Sequence, residues 1–428
     1  MKEQWSGKTI AIIVVGTFLL LIGFNNCGKS FEAVGAGGNG AAGYYSPTGQ
    51  VLAECAQFGT GSDWGPVEMA NVVLGGEPAV TIPVQVIDSS YATVPSSCPS
   101  PDTDPKTAGF NGILGVGLFK QDCGSQCTTD STTQMYYVCN NSSCTATTAT
   151  LAEQVTNPVA ELPQDNNGVA LVLPTVAYSG GYFANGYMLL GIGTESNNSP
   201  AAVTELTADD TYGEFTDEFN GTQMSGIIDS GSNGYFIPAS SKYYPDCTNS
   251  QYNQWFCPSA NYSSTATAIG VNNKQESFPF QIGNAENLFN SGNFAFMNLG
   301  GDSSGSLGSF GDMGLPFFFG RTVYVGLEHT KSPIGTGPYW AFSGGQNLVD
   351  VNGSVAIPPG PNVMTVSIGN TGQCDGDSYD NEPCTSVTIC SPGSTNCQTI
   401  NNILVDTGSY GLRVFSSVLQ VNLKPENP

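Results

Sequence analysis

Two stretches set aspartates where they could do chemistry. "NNILVDTGSYGLRVF" (401–415) runs an apolar triplet, Ile403-Leu404-Val405, into Asp406-Thr407-Gly408-Ser409 and back into alternating apolar positions. "GIIDSGSNGYFIP" (226–238) repeats the device with Asp229-Ser230-Gly231-Ser232. Each reads as a buried strand delivering one carboxylate to a tight glycine turn. Two carboxylates brought face to face cannot both ionise cheaply, so such a pair holds one proton between them. One member can then take a proton from water while the other donates to a carbonyl under attack. In that scheme Gly408 and Gly231 let the two backbones approach closely, and the Ser409 and Ser232 hydroxyls can bond the outer carboxylate oxygens. Thr407 and Ser230 complete the turns. One such turn alone, in a chain this rich in Gly, Ser and Thr, would read as an Asx-type turn after a strand. Two copies, each behind an apolar run, read as a pair.

Other chemistries have little material. The sequence has 1 histidine, His329 in "GLEHTKSP", which reads as an exposed loop residue, and there is no G-x-S-x-G elbow for a serine nucleophile. The 13 cysteines lack neighbouring histidines, so disulfides stapling long loops are expected rather than a metal site, with the pairing left open by the spacing. A formal net charge of −24, with no basic stripe or P-loop, excludes nucleic acid and anionic lipid headgroups as partners.

The elements that must position these residues are strands. Gly, Ser, Thr, Asn and Val dominate, and short apolar runs recur between Gly, Pro and Asn clusters, as in "ANVVLGGEPAVTIPVQVID". The expected fold class is all-β or mostly β. At 428 residues the chain is long enough for two lobes. Lys2 and Lys8 precede an apolar segment from Ile10 to Phe24, the length of a signal-peptide core, and Cys27 and a Gly-rich spacer follow. Setting Cys27 aside leaves 12 cysteines, an even number. Cys27 is therefore expected as a lipidation position, with plain cleavage or a retained signal anchor as the alternatives. The expected location is extracytoplasmic: periplasmic, cell-surface or secreted.

With these residues in view, the chain resembles the pepsin-like aspartic peptidases. "NVMTVSIGN" (362–370) and "ILVDTGSYGLRVFSS" resemble the first hairpin and first catalytic turn. "FGTGSDWGPVEMANVVLGG" (58–76) resembles the flap, and "GFNGILGVG" (109–117) the strand closing the first lobe. "GYMLLGIG" (186–193) resembles the strand opening the second lobe, "SGIIDSGSNGYFIPAS" the second catalytic turn, and "GLPFFFGRTVYVGLE" (314–328) its closing strand. The same blocks resemble an uncharacterised family of exported, lipoprotein-like bacterial proteins.

The resemblance implies a bilobal, double-psi β-barrel architecture, circularly permuted within the first lobe, because the first Asp turn follows the flap instead of preceding it. Moving residues 361–428 ahead of "YYSPTGQVLAECAQFG" restores the family order; a swapped tail or a rearranged reading frame are the alternatives. The implied organisation is a signal over 1–27 and a linker over 28–44, then the flap-containing part of the first lobe over 45–185. The second lobe with Asp229 follows over 186–342, a linker over 343–361, and the Asp406-containing part of the first lobe over 362–428. Asp406 and Asp229 would be the catalytic pair, and Phe58, Gly59, Thr60 and Gly61 the flap over substrate. Phe58 stands where active members carry Tyr, and the Trp expected after Asp406 is absent.

The implied function is an exported aspartic endopeptidase acting on polypeptide, with no cofactor and no metal. It would be a monomer, with a tail-swapped dimer as the alternative, and would meet the membrane only through a signal or lipid anchor. The competing expectation is a pepsin-fold binding or inhibitor protein without turnover, holding a protein or polysaccharide ligand. A glycosidase pair ranks below both, because such turns bring the carboxylates closer than either glycosidase geometry needs.

Overall fold

The computed structural model describes residues 51–59, 61–140, 143–238, 244–303, 310–345, 353–369, 372–374 and 379–423. Cys27, Thr60 and the proposed signal segment lie outside the described residues. Strand makes up 44% of the described residues and helix 8%, so the protein is mostly β.

In chain order the strands are β1 (Val51–Phe58), β2 (Gly61–Val73), β3 (Val80–Ile87), β4 (Gly112–Val116), β5 (Tyr136–Asn140), β6 (Ser143–Ala146), β7 (Gly168–Val172) and β8 (Ala184–Leu190). Next come β9 (Leu206–Thr207), β10 (Phe215–Phe219), β11 (Thr222–Ile228), β12 (Tyr235–Ile237), β13 (Tyr262–Ile269), β14 (Gln275–Ile282), β15 (Gly300–Asp302) and β16 (Phe310–Met313). The last are β17 (Arg321–Gly326), β18 (Tyr339–Gly344), β19 (Val363–Ile368), β20 (Pro383–Cys390), β21 (Cys397–Asp406) and β22 (Tyr410–Phe415).

Fifteen strands form one sheet in the order β6-β5-β1-β2-β3-β22-β4-β21-β20-β19-β8-β7-β17-β18-β9. A further pairing of β2 with β20 closes the run from β2 through β3, β22, β4 and β21 to β20 into a barrel. Closure leaves those strands no unpaired edge. Seven strands, β14-β13-β10-β11-β16-β12-β15, form a second sheet, a half-barrel. Segment 186–342 thus feeds both sheets: β10 to β16 make the half-barrel, while β17 and β18 lie in the larger sheet. One continuous apolar core, from Val72 and Leu114 through Val405 and Leu412 to Ile228, Phe278 and Met313, runs between the two.

A shared topology repeats in both sheets. β21 and β22, joined by the Asp406 turn, are not neighbours; β4 runs between them, parallel to β21 and antiparallel to β22, and β22 is parallel to β3. β11 and β12, joined by the Asp229 turn, flank β16 in the same senses, and β12 is parallel to β15. The sequence explains the depth of the turns. β21 begins with exposed Cys397 and Thr399 and ends on four buried residues, Ile403 to Asp406. β11 alternates into buried Gly226 and Ile228. Both strands therefore dive from the surface to the floor where the halves meet.

All twelve cysteines of the described residues are paired: Cys55–Cys98, Cys123–Cys127, Cys139–Cys144, Cys247–Cys257, Cys374–Cys384 and Cys390–Cys397. Such a set fits an oxidising, extracytoplasmic environment. No helix among the described residues is long and apolar enough to cross a membrane.

Candidate active site

The two turns meet. Asp406 Oδ1 accepts from Gly408 N–H (2.8 Å), and its Oδ2 accepts from the Ser409 hydroxyl. Asp229 Oδ1 accepts from Gly231 N–H (2.8 Å), and its Oδ2 from the Ser232 hydroxyl (2.8 Å). One pattern has been built twice.

The residues between them lock the halves together. Thr407 Oγ1 donates to Ile228 O (2.8 Å) and accepts from Ser230 N–H (2.9 Å). Ser230 Oγ donates to Val405 O (2.6 Å) and accepts from Thr407 N–H (3.1 Å). All four bonds cross from one sheet to the other and all are buried. Thr407 and Ser230 thus act less on the carboxylates than on the backbone that aims them.

The glycines have a sharper role than backbone approach. A Cβ on Gly408 would lie 2.5 Å from Asp229 Cγ, and one on Gly231 would lie 2.7 Å from Asp406 Oδ1. Each glycine makes room for the carboxyl of the opposite turn. That reciprocal fit sets the two acids against each other. Burial first, then the charges of Asp406 and Asp312 and a carboxyl-to-carboxyl hydrogen bond with Asp406, push the Asp229 carboxyl well above the usual range; the Ser232 hydroxyl pulls the other way.

Asp312 is a third acid that the sequence did not single out. It lies on β16, is 6% exposed, and accepts from the Ser232 hydroxyl at 2.6 Å. The block 314–328 is read from sequence as the closing strand of the second lobe, but the strand between β11 and β12 lies before it. It is Phe310–Met313, while Leu315–Phe317 forms a 3-10 turn and β17 joins the larger sheet. A signal existed: "GILG" at 112–115 and "GDMG" at 311–314 share Gly-x-apolar-Gly, with an acid at the variable position.

A second group of acids surrounds Arg413 on β22. Its guanidinium Nη2 donates to Glu54 Oε1 (2.6 Å) and Asp122 Oδ2 (2.9 Å), and all three side chains are buried. Burial disfavours that charge, but Glu54 and Asp122 more than offset the effect and hold the guanidinium above its ordinary value. Tyr136 Oη donates to Asp122 Oδ1 (2.6 Å) and accepts from Val155 N–H (2.8 Å). Asp63 on β2, fully buried, is raised by burial and then by the charge of Asp102.

The flap residues reach this group. β1 and β2 form a hairpin in which Phe58 pairs with Gly61, and Gly59 at its tip is exposed. The guanidinium carbon of Arg413 lies 5.7 Å from the Phe58 ring centroid. Tyr410, next to the Asp406 turn, packs edge-on against Phe119 at 5.2 Å. Burial, then the charges of Asp406, Glu328, Asp209 and Asp229, raise its phenol well above the ordinary value, so it stays neutral. The His329 side chain is 77% exposed, 3.6 Å from Glu328. Among the described residues no group of three or more His, Cys, Asp or Glu is placed to hold a metal ion.

A family model described as a protein of unknown function (DUF3443) matches residues 37–342 and 358–427. The chain belongs to that family. Both aspartate turns, β1 to β17 and β19 to β22 fall within the matched segments, and the unmatched 343–357 lies inside the stretch read from sequence as a linker. No curated protein matches the chain.

Proposed function

We propose that this protein is an exported aspartic endopeptidase, circularly permuted relative to the pepsin-like enzymes it resembles. The observation that carries the reading is the reciprocal seating of the two acids, with each turn's glycine vacating space for the other's carboxyl. The crossed Thr407 and Ser230 bonds support it, since a catalytic pair needs its geometry fixed before substrate arrives.

In this reading Asp229 carries the shared proton, because burial and the facing Asp406 carboxylate hold its own carboxyl well above the usual range. Asp406 takes a proton from a water held between the acids. The resulting hydroxide adds to the peptide carbonyl carbon as Asp229 protonates the carbonyl oxygen. Asp406 then returns its proton to the leaving nitrogen as the C–N bond breaks, Asp229 recovers its own from the collapsing diol, and an acid and an amine leave. An extended peptide would lie under the β1–β2 hairpin, pairing with its backbone beside exposed Gly59. Residues 1–27 would direct export and Cys27 would carry a lipid anchor. No cofactor is required.

The order of parts supports the permutation: β20 to β22, with the Asp406 turn, complete the barrel begun by β2, β3 and β4. One observation favours a second reading, a binding or inhibitor protein with no turnover. Phe58 offers no hydroxyl, and its ring lies over buried Arg413.

A peptidase assay on the full-length chain, scanned over about pH 3 to 7 where a shared-proton pair works, tests both readings. Asp406→Asn and Asp229→Asn are each expected to lower kcat by about a hundredfold or more. Cleavage that survives either exchange removes the mechanism. A folded wild-type chain that cleaves nothing leaves the binding reading.

A further inference from the structure

Asp312 takes no part in the mechanism above, yet proton counting at Ser232 gives it one. The Ser232 Oγ lies 2.8 Å from Asp229 Oδ2 and 2.6 Å from Asp312 Oδ2. A hydroxyl carries a single proton and can donate to only one of these oxygens at a time. The other short contact needs a proton that belongs to a carboxyl. The partner turn has no such competitor. There Ser409 serves Asp406 alone, and β4 carries Ile113 at the position that Asp312 occupies in β16.

Asp312 is well placed to hold that proton. No hydrogen-bond partner reaches its Oδ1 among the described residues. The charged groups facing it are Asp229 after β11 and Asp406 at the end of β21; buried Asp217 stands on β10, and uncharged Phe236 is opposite on β12. No cation is among them. Burial, and further the Asp406 charge, push its carboxyl up to about 7, although donation from Ser232 works against this.

We propose that Asp312 is a third acid of the site, a positioning residue that shares a proton with Asp229 through Ser232 and so sets how far up the pH scale the Asp229–Asp406 pair keeps its own proton. Protonated Asp312 donates to Ser232 Oγ, whose hydroxyl then points at Asp229 and favours its anion. When Asp312 releases its proton to solvent, the Ser232 hydroxyl rotates toward the new charge. Asp229 loses a donor and gains a negative neighbour, and both changes hold a proton on the pair. No bond between heavy atoms is made or broken.

The proton sharing stands apart from the peptidase reading; only its effect on turnover rests on that reading. The test is carbon-13 NMR titration of aspartate-labelled full-length protein, with the Asp229 carboxyl assigned by its loss in Asp229→Asn. In Asp312→Asn the Asp229 midpoint is expected to fall by about one pH unit. The same exchange in a Ser232→Ala background is expected to move it by about half as much or less. Asp312→Ile, which installs the side chain that β4 carries, serves as a second variant with the same expected direction. An Asp229 midpoint that neither variant moves overturns the proposal, and so does a shift of equal size without Ser232. If the protein cleaves peptides, the upper limb of the kcat/KM profile falls with the midpoint. A moved midpoint without cleavage supports the third acid and removes the peptidase reading. Cleavage with an unmoved midpoint and limb does the reverse.

Discussion

Thr407 Oγ1 donates into one half of the molecule and accepts from the other, so its hydroxyl is a joint between sheets and not a reacting group. Thr407→Val keeps the shape but leaves Ile228 O without that donor and Ser230 N–H without its acceptor, both buried. The exchange is expected to cost about 2 kcal/mol or more in stability, read from denaturant unfolding. In a peptidase it should also depress kcat more than KM, because substrate contacts are untouched while the acids lose their aim. Loss of neither would show that Ser230 alone holds the joint. These turns were legible in the sequence because Asp-Thr-Gly-Ser and Asp-Ser-Gly-Ser are compact and occur twice. Asp312 was not, since a single acid in "SFGDMGLPFFF" is hidden in an apolar run until β16 is seen between β11 and β12.

The flap hairpin is held by charge as well as by pairing. Glu54 on β1 and Asp122 after β4 share one cation, Arg413 on β22. Cys55–Cys98 ties β1 to the loop after β3. Replacing Arg413 with Met removes the cation and leaves those carboxyls buried without one, a change that typically costs about 3–5 kcal/mol. The loss should be greater at pH 7.5 than at pH 5, because orphaned Asp122, which burial already raises, takes up a proton more readily in acid. Urea unfolding at the two values checks this, and an equal loss at both would contradict it. Local sequence explains the strands here but not the cluster. Residues 54 and 413 are 359 positions apart, and nothing in "VLAECAQF" marks its Glu as facing inward. Strand alternation gave the mostly-β class from short windows. The block 314–328 does hold a strand, β17, but in the larger sheet, and its "PFFF" is not part of it because Pro316 and Gly320 turn the chain there.

At the scale of the molecule, buried acids outnumber their cations. Burial raises Glu68, Asp217 and Asp312 to about 7 and Asp102 to about 6. A carboxyl whose folded value lies above its unfolded one near about 4 lends stability in full below that lower value. The contribution is lost as pH rises through the folded value. The fold should therefore weaken steadily from about pH 4 to about pH 7, and the net charge of −24 acts in the same direction. Scanning calorimetry across that range should show a falling Tm; a Tm that climbs toward neutrality would refute it.

The closure of the barrel has a consequence for how the chain comes into being. β2, β3 and β4 are made long before β20, β21 and β22, which must slot among them. A nascent chain emerging N-terminus first thus travels with an open strand edge that only its own last segment can fill. Until that segment arrives, Asp229 has no opposite number, and an incomplete chain holds only half of the paired turns. The order of synthesis therefore keeps the two acids apart until the last strands have been made.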